Sequence, residues 1–256
     1  LSKQLSMIID LLKLKDETSN REYKRCFILR KSEEIFNLIK SDQQTFNKLQ
    51  PRTFDFTTLY TKLPHDQILQ NVRIAIMEAR EYLQQAINND PTFPRNDFIT
   101  LKATEDLMTW IEHLVTHTYI ANSKTCVYKQ TIGIPMGTNC APEIANLVLY
   151  VYESKYIDEL VSSGNILQAK KHRYSRRFID DIITFGTEPI PMNKYGNLEY
   201  SEQTNADGSV NFLGATIGLD KGMLKITRFD KTTAWKFPVL KYPAAKSNIP
   251  IHQIKG

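Results

Sequence analysis

A chain of 256 residues, 41% of them hydrophobic, is long enough to bury a core as one large domain or as two interleaved subdomains. The formal net charge of +5 permits a polyanionic partner without requiring one. The three cysteines lack a Cys-x-x-Cys pair, so neither a disulfide framework nor a zinc site is indicated, and a reducing intracellular compartment fits best. No apolar run reaches the length of a membrane span.

Apolar residues at helical spacing predict helices over residues 2–14, from Ser32, from Pro64 to Leu83, from Thr104 and from Pro142. Ser32 and Thr104 are suited to capping the helices that they begin. Alternating β-prone runs predict two hairpins, one over residues 118–130 with its turn at 122–124, and one over residues 210–229 with a turn at 220–222.

Residues 53–64 predict a strand that leads into a turn, and Asp55 is the unusual residue in it. A carboxylate between Phe54 and Phe56 is disfavoured inside a strand unless it has a partner or a task. The alternative is an edge strand with Asp55 turned towards solvent.

The segment from Gly133 to Pro142 places two glycines around a proline, directly before the last predicted helix. Glycines let the backbone approach a ligand closely. A glycine-rich loop that feeds a helix N-terminus presents free N–H groups, which suit a phosphate.

The stretch from Arg177 to Phe185 carries two adjacent carboxylates between short, β-branched apolar runs. This pattern predicts a hairpin with Asp180 and Asp181 at its tip. Two like charges held side by side cost free energy unless a cation is bound, so the pattern indicates a metal site. The alternative is a solvated turn, in which Asp is common.

The densest basic run precedes this hairpin and comprises Lys170, Lys171, Arg173, Arg176 and Arg177. Lysine and arginine side chains beside a groove release counterions from nucleic acid, so contact with a phosphate backbone is one interpretation. A solvated connector is the other.

The order of these motifs resembles that of the reverse transcriptases, and the resemblance covers nearly the whole chain from about Thr53. Residues 54–60 are similar to the first palm motif of that family, 133–142 to the second, 178–181 to the third, and 212–214 to the primer-grip hairpin. The branch that the sequence resembles most is that of the Penelope-like retroelements. Gly214 departs from that branch, where Asp is usual.

The resemblance implies a catalytic site of Asp55, Asp180 and Asp181 that holds two Mg²⁺ ions, or Mn²⁺, with Phe56 in the same metal site. Asp55 and Asp180 would hold both metals and Asp181 would assist. Nucleotidyl transfer is an in-line displacement in which two cations stabilise the attacking and leaving oxygens. Tyr60 aligns with the steric gate, whose ring excludes a ribose 2′-hydroxyl, which implies deoxyribonucleotide substrates.

By the same resemblance, Pro135, Met136 and Gly137 would lie against the incoming nucleotide, and Phe212, Leu213 and Gly214 would form the primer grip. Many retroviral relatives have Gln where Met136 stands, so packing would replace a hydrogen bond there. The partners implied are an RNA template, a DNA primer and dNTPs, with no membrane. Copying of a retroelement would place the protein in a nucleus.

The fold class implied is α+β, a right-hand polymerase palm in which helices back an antiparallel sheet. Residues 1–50 would supply partial fingers helices, 51–84 and 133–240 the two parts of the palm, and 85–132 a further fingers segment. The thumb would begin in 241–256 and be missing or truncated. Because the chain begins with Leu1, we expect a piece of a longer protein. Without the thumb and most of the upstream fingers region of the family, this piece would polymerise poorly or not at all alone.

Two other functions fit the sequence. An RNA-dependent RNA polymerase shares the palm chemistry, but Tyr60 speaks against it. A degenerate relative could bind nucleic acid without catalysis, although all three aspartates are intact.

Overall fold

The computed structural model describes residues 1–90, 92–98, 100–121 and 126–229. The α-helices in this part of the chain are α1 (Ser2–Glu17), α2 (Ser32–Ser41), α3 (Gln43–Phe46), α4 (His65–Asn89), α5 (Thr104–Thr116), α6 (Ala141–Ser162) and α7 (Ile166–Lys171). None of these helices combines the length and hydropathy that crossing a lipid bilayer needs.

The strands are β1 (Pro51–Phe56), β2 (Tyr119–Ala121), β3 (Val127–Lys129), β4 (Arg176–Phe178), β5 (Asp181–Phe185), β6 (Tyr200–Glu202), β7 (Val210–Phe212), β8 (Ala215–Asp220) and β9 (Met223–Arg228). All their pairings are antiparallel. The main sheet has the order β4-β5-β1-β6, and β2-β3 and β7-β8-β9 form two further sheets.

The two faces of the main sheet contact different cores, because successive side chains in a strand point to opposite faces. Phe54, Phe56 and Ile182 join a core built on α1, α4 and α6. Ile183 and Phe185 join a second core with α2, α3 and the β7-β8-β9 sheet. Helix α6 is buried over most of its surface, which agrees with the apolar pattern of its sequence. An antiparallel sheet backed by helices is therefore confirmed.

Most predicted elements are present, and the differences are local. The predicted caps Ser32 and Thr104 are wrong, since each is the first helical residue and the N-caps are Lys31 and Ala103. The Glu34 carboxylate accepts the backbone N–H of Lys31 instead.

Three further outcomes concern the strands. The edge-strand alternative is wrong, because β1 lies between β5 and β6. The hairpin over residues 118–130 is confirmed in β2 and β3, while its predicted turn at 122–124 lies outside the described residues, as does the predicted thumb connection at 241–256. The hairpin over 210–229 is confirmed as β7, β8 and β9, with the predicted turn between Asp220 and Met223.

Candidate active site

Two of the three predicted catalytic carboxylates face each other across the centre of the main sheet. Asp55 of β1 is the register partner of Asp181, the first residue of β5. Side chains of directly opposed residues lie on the same face, with Cβ atoms about 4.5–5.5 Å apart. Both residues are partly exposed, on the face that carries the second core further along β5. The fold thus brings together residues that are far apart in sequence.

Asp180 lies in the turn between β4 and β5. Phe178 pairs with Asp181, so the tip of the hairpin is Ile179-Asp180 and not the predicted Asp180-Asp181. Ile179 has φ 56°, a left-handed conformation that costs a β-branched residue on the order of 1–3 kcal/mol. The Phe56 backbone N–H donates to the Asp180 carbonyl oxygen at 3.2 Å, which ties this strained turn to β1 beside Asp55.

The chemistry of these side chains fits a divalent cation. Mg²⁺ takes oxygen ligands, keeps several waters and is held by one or two carboxylates plus substrate phosphates. Two opposed like charges on a sheet also repel, and a cation between them removes that cost. Among the described residues no group of three or more His, Cys, Asp or Glu side chains is placed to hold a metal, so the fit is to one or two carboxylates, with the substrate phosphates completing the shell of the cation.

Phe56 can contribute to such a site only through its backbone. Its ring is buried and packs edge-on against the rings of Tyr195, at 4.9 Å between centroids, and Tyr200, at 5.9 Å.

Tyr60 follows β1 and is close enough to the turn to sense its charge. Burial and, after it, the negative charge of Asp180 together raise the pKa of the Tyr60 phenol to about 12. The hydroxyl is therefore neutral at physiological pH. The structure brings the predicted steric gate and the predicted metal ligand together, although no sequence pattern joins them.

The glycine-rich loop is fixed by its backbone to the segment after β1 that contains Tyr60. The Gly133 N–H donates to the Leu63 carbonyl at 2.7 Å, and the Ile134 N–H donates to the Tyr60 carbonyl at 2.9 Å. The ring of His65 adds a contact of 3.1 Å between Nε2 and the Gly133 oxygen. The sequence analysis assigned no role to Leu63 or His65.

The two glycines of this loop have different roles. A Cβ on Gly133 would lie 2.3 Å from the Tyr60 oxygen, whereas a Cβ on Gly137 would meet nothing within 4 Å. The close approach predicted for Gly133 is therefore to the protein's own backbone, and Gly137 is the residue that lies open. Met136 is 71% exposed and Pro135 is buried, so Met136 and Gly137 are the accessible members of the predicted nucleotide contact.

The basic run does not act as one surface, and one of its predicted members is wrong. Arg177 is fully buried and paired with Glu153, so it cannot reach a phosphate backbone. Arg176 is partly buried and donates to the carbonyls of Arg173 and Ser175, and burial lowers its pKa to about 10.

The remaining basic residues lie towards the other end of the sheet from Asp55. Lys170 is paired with Glu22. Lys171 borders a groove that also includes Gly186, next to the end of β5 that pairs with Pro51. At about 3.4 Å per residue, that end is roughly 13 Å from the carboxylates. Lys171 and Arg173 are exposed, and phosphate contact stays a prediction for these two.

The predicted primer-grip residues form the β7-β8 turn. Phe212 is buried in the second core. Leu213 and Gly214 have φ values of 47° and 79°, the pattern of a type I′ hairpin. A Cβ on Gly214 would meet nothing within 4 Å, so the turn itself is open.

A buried polar group beneath the hairpin was missed from the sequence. Asn146 and Glu153 of α6 are both buried and both bind Arg177. Burial raises the pKa of Glu153, while the positive charge of Arg177 opposes this. The available signal was two polar residues two turns apart on a helix that is otherwise apolar from Ile144 to Tyr152.

The fold is similar to that of telomerase structures. Telomerase from Candida tropicalis, truncated from its C-terminal domain, matches 88% of this chain with a TM-score of 0.57 and 13% identity. Telomerase from Candida albicans, in complex with a TWJ fragment of telomeric RNA, matches 89% with a TM-score of 0.55 and 11% identity. This chain spans 44% and 39% of those two chains. No protein-family model and no curated protein matches the sequence. At these identities the similarity establishes a shared fold.

Proposed function

We propose that this chain is the catalytic region of an RNA-directed DNA polymerase, which adds deoxyribonucleotides to a primer 3′ end with two Mg²⁺ ions, or Mn²⁺. The observation that carries the proposal is the register of β1 with β5, which sets Asp55 opposite Asp181 while Asp180 occupies the adjoining turn. Telomerase is a reverse transcriptase, so the shared fold supports the same class.

In this proposal the carboxylates of Asp55 and Asp180 hold both cations and Asp181 assists. Bound cations supply charge neutralisation at the attacking and leaving oxygens. The chain itself contributes position: β1 and β5 fix two of the carboxylates relative to each other, and the hydrogen bond from Phe56 N–H to the Asp180 carbonyl restrains the third. Holding reacting groups in place is a large part of catalysis of phosphoryl-type transfers.

Substrate choice would follow from the residues around the carboxylates. The Tyr60 ring, on a backbone that Ile134 N–H fixes and near enough to Asp180 to feel its charge, would exclude a 2′-hydroxyl and favour dNTPs. The exposed Met136 and the open Gly137 would contact the incoming nucleotide.

An RNA template and a DNA primer are the proposed partners. Two of the telomerase structures with this fold contain telomeric RNA, which supports the RNA partner. Origin in a Penelope-like retroelement and a palm-and-fingers division belong to the proposal and rest on the sequence motifs. Nuclear localisation also belongs to it and would follow from the copying of a retroelement.

Single-nucleotide addition under single-turnover conditions tests the proposal. Protein in excess over an RNA-templated DNA primer compensates for weak binding by a chain that we expect to polymerise poorly alone. We expect slow addition of one dNMP with Mg²⁺ or Mn²⁺, reduced at least about 100-fold in Asp180→Asn, since even outer residues of metal sites are worth about 10–100-fold. Asp181→Asn should lose less. No addition by the wild-type chain, or equal addition by Asp180→Asn, would contradict the proposal.

A further inference from the structure

Arg177 has the most completely satisfied side chain beneath the catalytic hairpin. Its guanidinium is fully buried, and each of its five N–H donors has an acceptor. Nε and Nη2 donate to Glu153 at 2.6 and 3.2 Å, and Nη2 also donates to the Asn146 carbonyl at 3.3 Å. Nη1 donates to Asn146 Oδ1 at 2.7 Å and to the Ile179 carbonyl at 2.9 Å.

The bond to Ile179 reaches the strained residue of the turn. A carbonyl and the following N–H belong to one planar peptide group. Fixing the Ile179 carbonyl therefore fixes the peptide plane from which Asp180 extends. Ile179 has φ 56°, a conformation that persists only where the surroundings hold it.

Arg177 is itself anchored on both sides. Its backbone N–H donates to the Phe27 carbonyl, and its carbonyl accepts from Leu29 N–H, each at 2.7 Å. Asn146 and Glu153 belong to the long buried helix α6. The guanidinium thus connects helix α6 to the Ile179-Asp180 turn, and its contacts with the two are made by one planar group.

Stability alone does not explain this arrangement. A buried ion pair carries a desolvation cost that its attraction often fails to recover, and apolar replacements are frequently neutral or stabilising. Residues that orient metal-binding carboxylates, by contrast, require fixed hydrogen bonds behind them.

We propose that Arg177 is a positioning residue, which sets the direction of Asp180 towards the metal site by holding the Ile179 carbonyl. This inference rests on the proposed function, because it assigns Asp180 a metal ligand's task. It replaces the contact with nucleic acid that the sequence suggested for Arg177.

Arg177→Lys tests the inference, with Arg25→Lys as the matched control. Lysine keeps a charge beside Glu153 but has three donors on one nitrogen, so it cannot also hold Asn146 and Ile179. Arg25 is likewise a largely buried arginine that bridges two carboxylates, those of Glu78 and Asp158.

Two measurements are made well below the unfolding temperature. Hydrogen exchange without metal should show faster exchange at residues 179–182 in Arg177→Lys, with α6 unchanged. Mn²⁺ titration followed by electron paramagnetic resonance should show affinity lower by about 10–100-fold. Arg25→Lys should leave both at wild-type values while lowering the unfolding temperature.

Wild-type exchange at residues 179–182 in Arg177→Lys would overturn the inference, as would equal weakening of Mn²⁺ binding by Arg25→Lys. If Arg177→Lys does not fold, Asn146→Ala takes its place, since it removes one acceptor of Nη1 and should give the same changes at smaller size. Failure of the proposed function is separately visible: the wild-type chain would then bind no Mn²⁺ or add no nucleotide, while the exchange result still decides whether Arg177 holds the turn.

Discussion

Replacing Gly133 by alanine tests how the loop beside Tyr60 is held. An added Cβ would lie 2.3 Å from the Tyr60 carbonyl oxygen and 3.1 Å from the Thr61 Cα. These are backbone atoms, so no side chain can rotate away and the two segments must separate. Separation weakens the hydrogen bond from Ile134 N–H to the same Tyr60 oxygen.

Gly137→Ala is the matched control. Gly133 and Gly137 both have φ 88°, but a Cβ on Gly137 meets nothing within 4 Å. Both substitutions therefore carry the left-handed backbone cost of about 1–2 kcal/mol. Only Gly133→Ala adds overpacking of about 1–3 kcal/mol and the loss of a hydrogen bond of about 1 kcal/mol.

We expect Gly133→Ala to lower the free energy of unfolding by about 2–4 kcal/mol more than Gly137→Ala does. For a chain of this size each kcal/mol lowers Tm by about 2–4 °C, so thermal unfolding followed by circular dichroism resolves the difference. Equal losses for the two variants would refute the contact between Gly133 and Tyr60 on which the geometry of the proposed nucleotide site depends.

Three further predictions concern single features of the chain. Tyr60→Ala should raise the incorporation of ribonucleotides relative to deoxyribonucleotides in a primer-extension assay. An unchanged ratio would contradict the role of Tyr60 as a steric gate. Burial beside the Phe27 ring lowers the pKa of His172 from 6.5 to about 4. As the pH falls, His172 is therefore protonated at a higher pH in the unfolded chain than in the folded chain, and the free energy of unfolding should fall by about 3 kcal/mol from pH 6.5 to 4. In denaturant titrations, His172→Phe should show a smaller decline of the free energy of unfolding over this range. An unaltered decline would contradict the burial of a neutral His172. If Lys171 and Arg173 each contact a phosphate, replacing both by alanine should reduce the slope of log binding constant against log salt concentration by about 1.4–1.8. An identical slope would show that the two side chains are solvated and do not contact nucleic acid.

The periodic elements could be predicted from the sequence because their signals are local. Ile68, Val72 and Ile76 repeat at helical spacing and are buried on one face of α4. The strand alternation around Asp55 was also visible. The register that opposes Asp55 to Asp181 was not, because it depends on tertiary pairing; only the resemblance of ordered motifs placed these residues in one site.

Arg177 shows why the rest of the site could not be predicted. Within a basic run, an arginine is expected to be solvated, and only the fold reveals that it points towards α6. Its acceptors Asn146 and Glu153 lie among the buried residues of α6, and nothing in the local sequence identifies Arg177 as their partner. The role of Gly133 could not be predicted for a similar reason. A glycine in a loop indicates that another group lies close to the backbone, but the sequence does not show whether that group is a ligand or, as here, the Tyr60 backbone.

Mn²⁺ binding to the wild-type chain and to Asp55→Asn/Asp180→Asn tests the central claim most directly. Asp207→Asn/Asp220→Asn is the control, since it removes the same charge from two exposed residues, one in the loop before β7 and one at the end of β8. We predict that the wild type and the control bind Mn²⁺ alike in an electron paramagnetic resonance titration, and that the Asp55/Asp180 variant does not bind. Undiminished binding by that variant would contradict a metal site held by Asp55 and Asp180.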